Sequence, residues 1–509
     1  MPEPMKLSKS RYTRGLQCSK ILWLETHRPE VRDEAQASSG ALAEGVAVGD
    51  LARGYFGPYV LVGAGGHDLT AMLEQTRVLM AEGASVIAEA AFAVDNNLCL
   101  VDVLRRTDDG WQLIEVKSSL DRDARRDDGP KDIHLDDLAY QYFVLGEAGV
   151  QVSSVHLMRI NPGYVREGEL DLTQLFTLRD VSDSVRQRQP RVVDAIARLT
   201  TEVGQTHEPA TPIGRHCSTP NPCAFQGHCW SGVPEFSVFN LFPVEKAAGH
   251  FVSGVVTAAD VVSHEISVAE SKRLPLVFET QERADHIDAE AIGEFLDRTM
   301  TYPVSFLDFE TFFTEAIPRW SGIKPYQQIV FQYSLHVQDA PFAKPRHREF
   351  LAPLGQNPRR LAAERLVADV PTEGTVVAWN KSFEISRIRE FAADFPDLAD
   401  SLLAINERVV DLGDPFKAKH YYNRAMRGSW SLKYVLPALF PNDPELDYGA
   451  LDGVHNGGDA SETYRTLHLV DDPDEVERVR RALLAYCRLD TFATVKILDR
   501  LQQARSAPC

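Results

Sequence analysis

The sequence predicts an α/β protein built from two mixed-sheet domains with a helical connector between them, and three observations carry that prediction. The first is a hairpin signature: NNLCLVDVLRR-TDDG-WQLIEVKSS reads as two strands around a two-residue loop at Asp108 and Asp109, with helical patterns before and after it. The second is YPVSFLDFE, a strand-like run that opens a series of alternating strands and helices ending in a C-terminal helix around YCRLDTFATVKILDRL. The third is punctuation. The loop EPATPIGRHCSTPNPCAFQGHC closes the first region, and AADVVSHEIS and AEAIGEFLDRTM then read as helices with no strong strand run between them. The domains expected are therefore 1–230, a helical connector at 231–300, and 301–509. A chain of 509 residues is longer than one hydrophobic core usually organises, which agrees.

A hydrophobic fraction of 44% and a charged fraction of 25% suit a soluble globular protein. No run approaches the roughly 18 apolar residues of a membrane helix. The N-terminal MPEPMKLSKSRYTRGLQ is basic without the apolar core of a signal peptide, so a cytoplasmic, membrane-free protein is expected. A net charge of −19 argues against a generic nucleic-acid coat, whose affinity comes from clustered Lys and Arg, but it leaves room for a nuclease whose metal-binding carboxylates add to the total. Arg122, Arg125, Arg126 and Lys131 form a local basic group, but Asp121, Asp123, Asp127 and Asp128 interleave it, and the stretch reads as a solvated loop.

The hairpin carries the first candidate site. Pairing its strands about Asp108 and Asp109 makes opposed positions sum to 217, which sets Asp102 across from Glu115, and period-two alternation adds Lys117 to that face while Val101 and Val116 point the other way. Two opposed carboxylates repel unless a cation neutralises them. Mg²⁺ or Mn²⁺ held there would activate water and polarise a phosphodiester, with Lys117 orienting the nucleophile or countering developing charge. Downstream, HLDDLAYQYFVLGEAG reads as a helix carrying Gln141; upstream, ALAEGVAVGDLARGYF reads as a helix on which Glu44 is positioned to supply a further metal ligand. The Asp, E-x-K and Gln series resembles the PD-(D/E)xK nuclease superfamily in its RecB-like branch, which implies a restriction-endonuclease-like domain. One departure stands out: many relatives carry a histidine ligand on the early helix, where this chain has Gly49 and Asp50.

Cysteine placement points the same way. Cys217, Cys223 and Cys229 crowd the closing loop, where Pro220, Pro222 and Gly227 favour convergence of three thiolates, and Cys18 is the candidate fourth ligand. Cys99, Cys487 and Cys509 read as structural or incidental. One cysteine before the nuclease core and three after it resembles the iron-sulfur RecB-like nucleases. That resemblance implies a 4Fe-4S cluster on Cys18, Cys217, Cys223 and Cys229, clasping the two ends of the domain across a long loop. Zinc on the three late cysteines with Cys18, His216 or His228 is the alternative.

The second candidate site begins at YPVSFLDFET, where Asp308 and Glu310 share one strand face. GTVVAWNKSFEISRIREFA reads as a strand running into a helix that starts near Glu384, and on the last helix Tyr486 and Asp490 stand four residues apart, on one side. This D-x-E, late acid and Y-x-x-x-D series resembles the DEDD exonucleases in their tyrosine subclass. The resemblance implies an RNase H-like domain in which Asp308, Glu310, Glu384 and Asp490 hold two metals and Tyr486 positions the attacking water at a 3′ end. Glu384 stands where the family usually has Asp.

The order of parts resembles an uncharacterised bacterial family, known mainly as a domain of unknown function, that joins the two nuclease types. The expectation is a two-site, metal-dependent deoxyribonuclease or exonuclease acting on DNA, chiefly single-stranded ends, in DNA repair, recombination or defence. The alternatives are a nucleic-acid-binding scaffold with inactive sites and an enzyme acting on RNA. A helicase or repair partner is conceivable by analogy, since no G-x-x-x-x-G-K-[ST] motif is present.

Overall fold

The computed structural model describes residues 6–33, 39–64, 66, 68–120, 130–283 and 285–506, with the side chains of 39–44 outside the description. The chain divides into two compact units, Met1–Val233 with Glu315–Tyr326, and Pro234–Thr314 with Gln327–Cys509. Both are mixed α/β. Among the described residues no helix is long and apolar enough to cross a membrane.

The first unit holds strands β1 (Leu7–Ser8), β2 (Val60–Leu61), β3 (Val86–Val94), β4 (Asn97–Thr107), β5 (Gly110–Leu120), β6 (Val152–Ile160) and β7 (Phe176–Asp180). Its early helices are α1 (Lys9–Gln17), α2 (Ser19–His27), α3 (Ser39–Arg53), α4 (Leu69–Glu82) and α5 (Asp132–Glu147). The sheet runs β2-β3-β4-β5-β6-β7, and β1 lies parallel to the start of β4 with Leu7 against Asn97. Two tight turns build its centre. Asp95, at φ 51, begins the turn between β3 and β4, and Gly110, at φ 129, closes the Asp108–Asp109 turn between β4 and β5; both need the left-handed region that Asp tolerates and glycine favours. Helix α5 crosses over to bring β6 parallel to β5.

Apolar side chains cover both sheet faces. On one, Leu138 and Val144 of α5 with Val185, Val192 and Leu199 of the helix Ser182–Val203 bury Val101, Leu113, Val155 and Leu157. On the other, Val48 and Ala52 of α3 cover Val103, Ile114, Met158 and Ile160. Each large side chain so buried contributes roughly 1.5–3 kcal/mol, which makes the sheet a rigid platform for polar groups at its rim.

The second unit is organised around β9 (Val304–Phe313), β10 (Gln328–Gln338), β11 (Arg346–Leu351), β12 (Thr375–Ala378) and β13 (Val409–Asp411), in the order β11-β10-β9-β12-β13. The first three strands form an antiparallel meander; β12 joins β9 in parallel and β13 joins β12 in parallel. The C-terminal helix Pro473–Ala504 lies on this sheet, pinned by Gln332 Nε2 donating to the Leu483 carbonyl at 2.7 Å and by Thr491 Oγ1 meeting Ser334 Oγ at 2.7 Å. The stretch read as helical before residue 300 also contains β8 (Asp285–Ile287), paired antiparallel with β14 (Tyr421–Asn423); three residues with two polar ones, DHI, give no period-two signal.

Candidate active sites

Asp102, Glu115, Lys117 and Gln141 come together in the first unit. The β4–β5 ladder has the register given by the sum of 217, from Thr107 opposite Gly110 to Val103 opposite Ile114, and it stops just short of Asp102. There the carboxylate replaces a backbone acceptor: Asp102 Oδ2 takes the Val116 N–H at 2.8 Å. Lys117 Nζ donates to Glu115 Oε1 at 2.6 Å, and Gln141 Nε2 donates to Glu115 Oε2 at 2.7 Å. Glu115 is 1% exposed, so its charge depends on these donors.

Three further residues belong to this constellation and were missed in the sequence. Lys9, at the start of α1, extends its ammonium between the carboxylates, 3.1 Å from Asp102 Oδ1 and 3.2 Å from each Glu115 oxygen. Asp137 accepts from Lys117 Nζ at 2.6 Å and from Gln141 Nε2 at 3.1 Å. Glu89 falls in a one-residue gap in the β3–β4 pairing, between Ala88 opposite Val103 and Ala90 opposite Val101, with a left-handed φ of 55, and it accepts from Arg53 Nη2 at 2.9 Å. A non-glycine residue in that backbone region inside a strand is strained, and such strain concentrates at functional sites.

All but Gln141 line one cleft of about 1110 Å³, which also takes in Arg14, Arg32, Arg53 and Lys131 and reaches the loop Pro220–Phe225. Burial, reinforced by the charge of Glu115, pushes Asp102 up to about 6. Glu115 itself is held below the usual carboxylate range: burial acts to raise it, but the ammoniums of Lys117 and Lys9 and the bonds from Lys117 and Gln141 prevail. Burial also acts to lower Lys9 and Lys117, and the facing carboxylates raise both above the usual lysine range. The charged forms of Glu115, Lys9 and Lys117 therefore sustain one another. Helix α3 turns Gly45, Val46, Gly49 and Arg53 to the cleft. The side chain of Glu44 lies outside the described residues, as do residues 121–128 and Cys509.

Cys18, Cys217, Cys223 and Cys229 line a second, smaller cavity in the same unit, together with Lys20 and His216. Cys18 occupies the extended junction between α1 and α2, with φ −162, and so faces a loop from the far end of the unit. All four are free thiols. His228 meets Glu208 at 3.2 Å and does not line this cavity.

The second unit gathers Asp308, Glu310, Glu384, Tyr486 and Asp490. Asp308 and Glu310 lie on the central strand β9, opposite Ser334 and Gln332 of β10. Glu384 is on the first turn of the helix Ser382–Asp394, 2% exposed, and its Oε2 has no hydrogen-bond partner. Asp490 accepts from the hydroxyls of Tyr486 and Tyr448, the latter from a short 3-10 turn that gave no sequence signal. Glu310 reaches the first turn of the helix Gly457–Leu467, where a Cβ built on Gly457 would stand 3.5 Å from Glu310 Oε2.

Carboxylates are concentrated here, and Lys433 acts on Asp490 to offset part of their repulsion. Burial first, then the neighbouring carboxylates, push Glu310 to about 8; burial and Asp411 push Glu384 to about 8; Asp308 is raised by burial, Asp490 and Glu310, and Asp490 itself is pushed to about 6 by burial. Asp411 differs in being satisfied by the N–H groups of Asn380, Lys381 and Gly413 and by Lys417 Nζ at 2.7 Å. Its role is to fix the β12–β13 end of the sheet.

Comparison with known proteins adds little chemistry. Residues 305–431 are similar to a family described as a domain of unknown function, DUF2779. No curated protein matches the sequence. Among solved structures, the crystal structure of an alkaline exonuclease from Laribacter hongkongensis is similar at 14% sequence identity, with a TM-score of 0.24, over 39% of this chain and 89% of that one.

Proposed function

We propose that the chain is a divalent-metal-dependent nuclease with two active sites acting on DNA, chiefly on single-stranded ends. The observation that carries this reading is the ammonium of Lys9 standing between Asp102 and Glu115: the carboxylate pair draws a cation from the chain itself, and its hard oxygen donors suit Mg²⁺ or Mn²⁺. When bound, such an ion supplies a water of lowered pKa and polarises a phosphodiester oxygen. The protein supplies the rest. Lys117, braced by Glu115 and Asp137, presents fixed positive charge where negative charge develops on the phosphoryl oxygens. Gln141 holds Glu115 in place from α5, and Lys9, Arg14, Arg32 and Lys131 line the cleft with charge complementary to a phosphate backbone. The E-x-K geometry, with Asp102 beside it, supports a restriction-endonuclease-like, RecB-type reading of the first unit.

In the second unit, an antiparallel meander continued by two parallel strands on the far side of its first strand supports an RNase H-like reading. Asp308, Glu310, Glu384 and Asp490 would be the oxygen donors to metal there, and the buried, unpartnered Glu384 Oε2 supports that reading, since a cation would satisfy it. Tyr486, bonded to Asp490, is placed to orient a water for attack on a terminal phosphodiester.

The four cysteines fit a 4Fe-4S cluster better than zinc. Tetrahedral zinc with sulfur bonds near 2.3 Å brings thiolates to about 3.8 Å from one another. Among the described residues, no three of these four sulfurs lie within 4.8 Å of one another, although all four line one cavity. A larger cluster suits that spread, and it would tie α1, which carries Lys9, to the loop that ends the unit.

End-labelled single-stranded DNA and RNA, incubated anaerobically with Mg²⁺ or Mn²⁺, test the proposal. DNA is expected to be degraded, with Lys117→Ala and Asp308→Ala each abolishing a separable part. Degradation of RNA alone replaces the substrate, and degradation of neither polymer overturns the reading in favour of a binding scaffold.

A further inference from the structure

Cys487 reads as an incidental buried thiol in the sequence, but the fold places it inside the second carboxylate site. Its sulfur lies 3.6 Å from Asp308 Oδ2 and 3.8 Å from the Asp308 carbonyl, and the residue is fully buried. One ligand atom each from Asp308, Glu310 and Cys487 lie within 4.8 Å of one another, a grouping that no other three Asp, Glu, His or Cys residues achieve among the described residues. Asp490 stands by this grouping, its charge acting on Asp308 and Cys487 while it accepts from the hydroxyls of Tyr448 and Tyr486. Glu384 belongs to the same set of acids: its side chain is buried, one of its oxygens has no partner, and its charge acts to raise both Asp308 and Glu310.

We propose that Cys487 is a sulfur donor to the metal of the second site, so that Asp308, Glu310 and Cys487 select a thiophilic divalent cation such as Zn²⁺, Co²⁺ or Cd²⁺ over Mg²⁺. The inference rests on reading these carboxylates as a metal site. Magnesium takes oxygen donors and holds its water tightly, whereas thiolate favours softer ions. On coordination the thiol gives its proton to solvent and the sulfur lone pair to the metal, with no redox change. In the first site the paired donors Asp102 and Glu115 are both carboxylates, so the two sites are expected to differ in metal preference within one chain.

The test uses the whole chain, with Cys18, Cys217, Cys223 and Cys229 saturated beforehand so that they take up no added ion. Cd²⁺ and Mg²⁺ binding are measured by calorimetry, and Cd²⁺ binding also by the ultraviolet sulfur-to-cadmium absorption, for wild type, Cys487→Ser, Cys487→Ala and Asp308→Asn. Loss of a ligand should weaken Cd²⁺ binding about 10-fold or more in both cysteine variants, remove the part of the absorption due to this thiol, and leave Mg²⁺ binding within about 2-fold. Unchanged Cd²⁺ affinity and absorption in both cysteine variants would overturn the proposal and leave Cys487 as a hydrogen-bond donor to Asp308. If Asp308→Asn binds as many ions as wild type, the second metal site itself falls, which is a separate failure. The serine and alanine variants together guard against misfolding, since serine keeps the bond to Asp308 and alanine does not.

Discussion

Replacing Lys9 by methionine tests whether its ammonium occupies the place of a metal ion. Lys9 makes contacts of 3.1, 3.2 and 3.2 Å to Asp102 and Glu115. Removing one partner of a buried ion pair costs roughly 3–5 kcal/mol. The Lys9 side chain is 22% exposed, and solvent offsets part of that cost, so about 2–3 kcal/mol is expected for the metal-free protein. For a unit of this size each kcal/mol lowers Tm by about 2–4 °C, which gives a drop of about 4–12 °C in the transition of the first unit. A divalent ion no longer has to displace the lysine in the variant, so its affinity should rise by about tenfold or more, equivalent to ~1.4 kcal/mol. The assay is thermal unfolding across a Mn²⁺ titration, with wild type and Lys9→Met side by side. If Mn²⁺ raises Tm equally in both, Lys9 and the metal do not compete, and the reasoning fails.

Stability of the second unit should depend on pH in the direction its carboxylates dictate. Glu310 and Glu384 stand near 8 in the folded unit against an ordinary 4.5, so the stability they contribute is fully present below about 4.5 and lost as pH rises through about 8. Metal-free protein should accordingly lose Tm for this unit between pH 5 and about 8.5, and Mn²⁺ should flatten the slope; a Tm that rises over that range contradicts the assignment. In the first unit, protein purified without oxygen is expected to be brown, with visible absorption that Cys223→Ala removes. One equivalent of zinc without iron would replace the cluster with the zinc alternative.

Local rules made part of the sites readable in the sequence. A two-residue turn set the β4–β5 register as far as Val103 opposite Ile114, because register in a hairpin follows from its loop. The pairing stops before Asp102, whose carboxylate takes the Val116 N–H instead of facing Glu115 across the ladder, and Val101 and Val116, expected on one face, pack in different cores. The same arithmetic at the Asp95–Asn96 turn makes positions sum to 191 and would have set Glu89 beside Asp102. Asp137 stands four residues before Gln141 on α5, and Cys487 three before Asp490, so helical spacing carried both signals. Lys9 and Tyr448 were not legible. Lys9 reaches the site because β1 pairs with β4 across about ninety positions of sequence, and Tyr448 arrives on an irregular turn; neither contact has a local period. For the whole fold, the alternation of strands and helices announced α/β, while the strand order of each sheet depends on long-range pairing that no local pattern encodes.

The nuclease assay with both site variants is the most direct test of the central claim. Wild-type protein with Mn²⁺ or Mg²⁺ should shorten end-labelled single-stranded DNA. Lys117→Ala and Asp308→Ala should each remove a different part of the products, and the double variant should remove all of them. Undiminished degradation by the double variant, or none by the wild type, would contradict the two-site account.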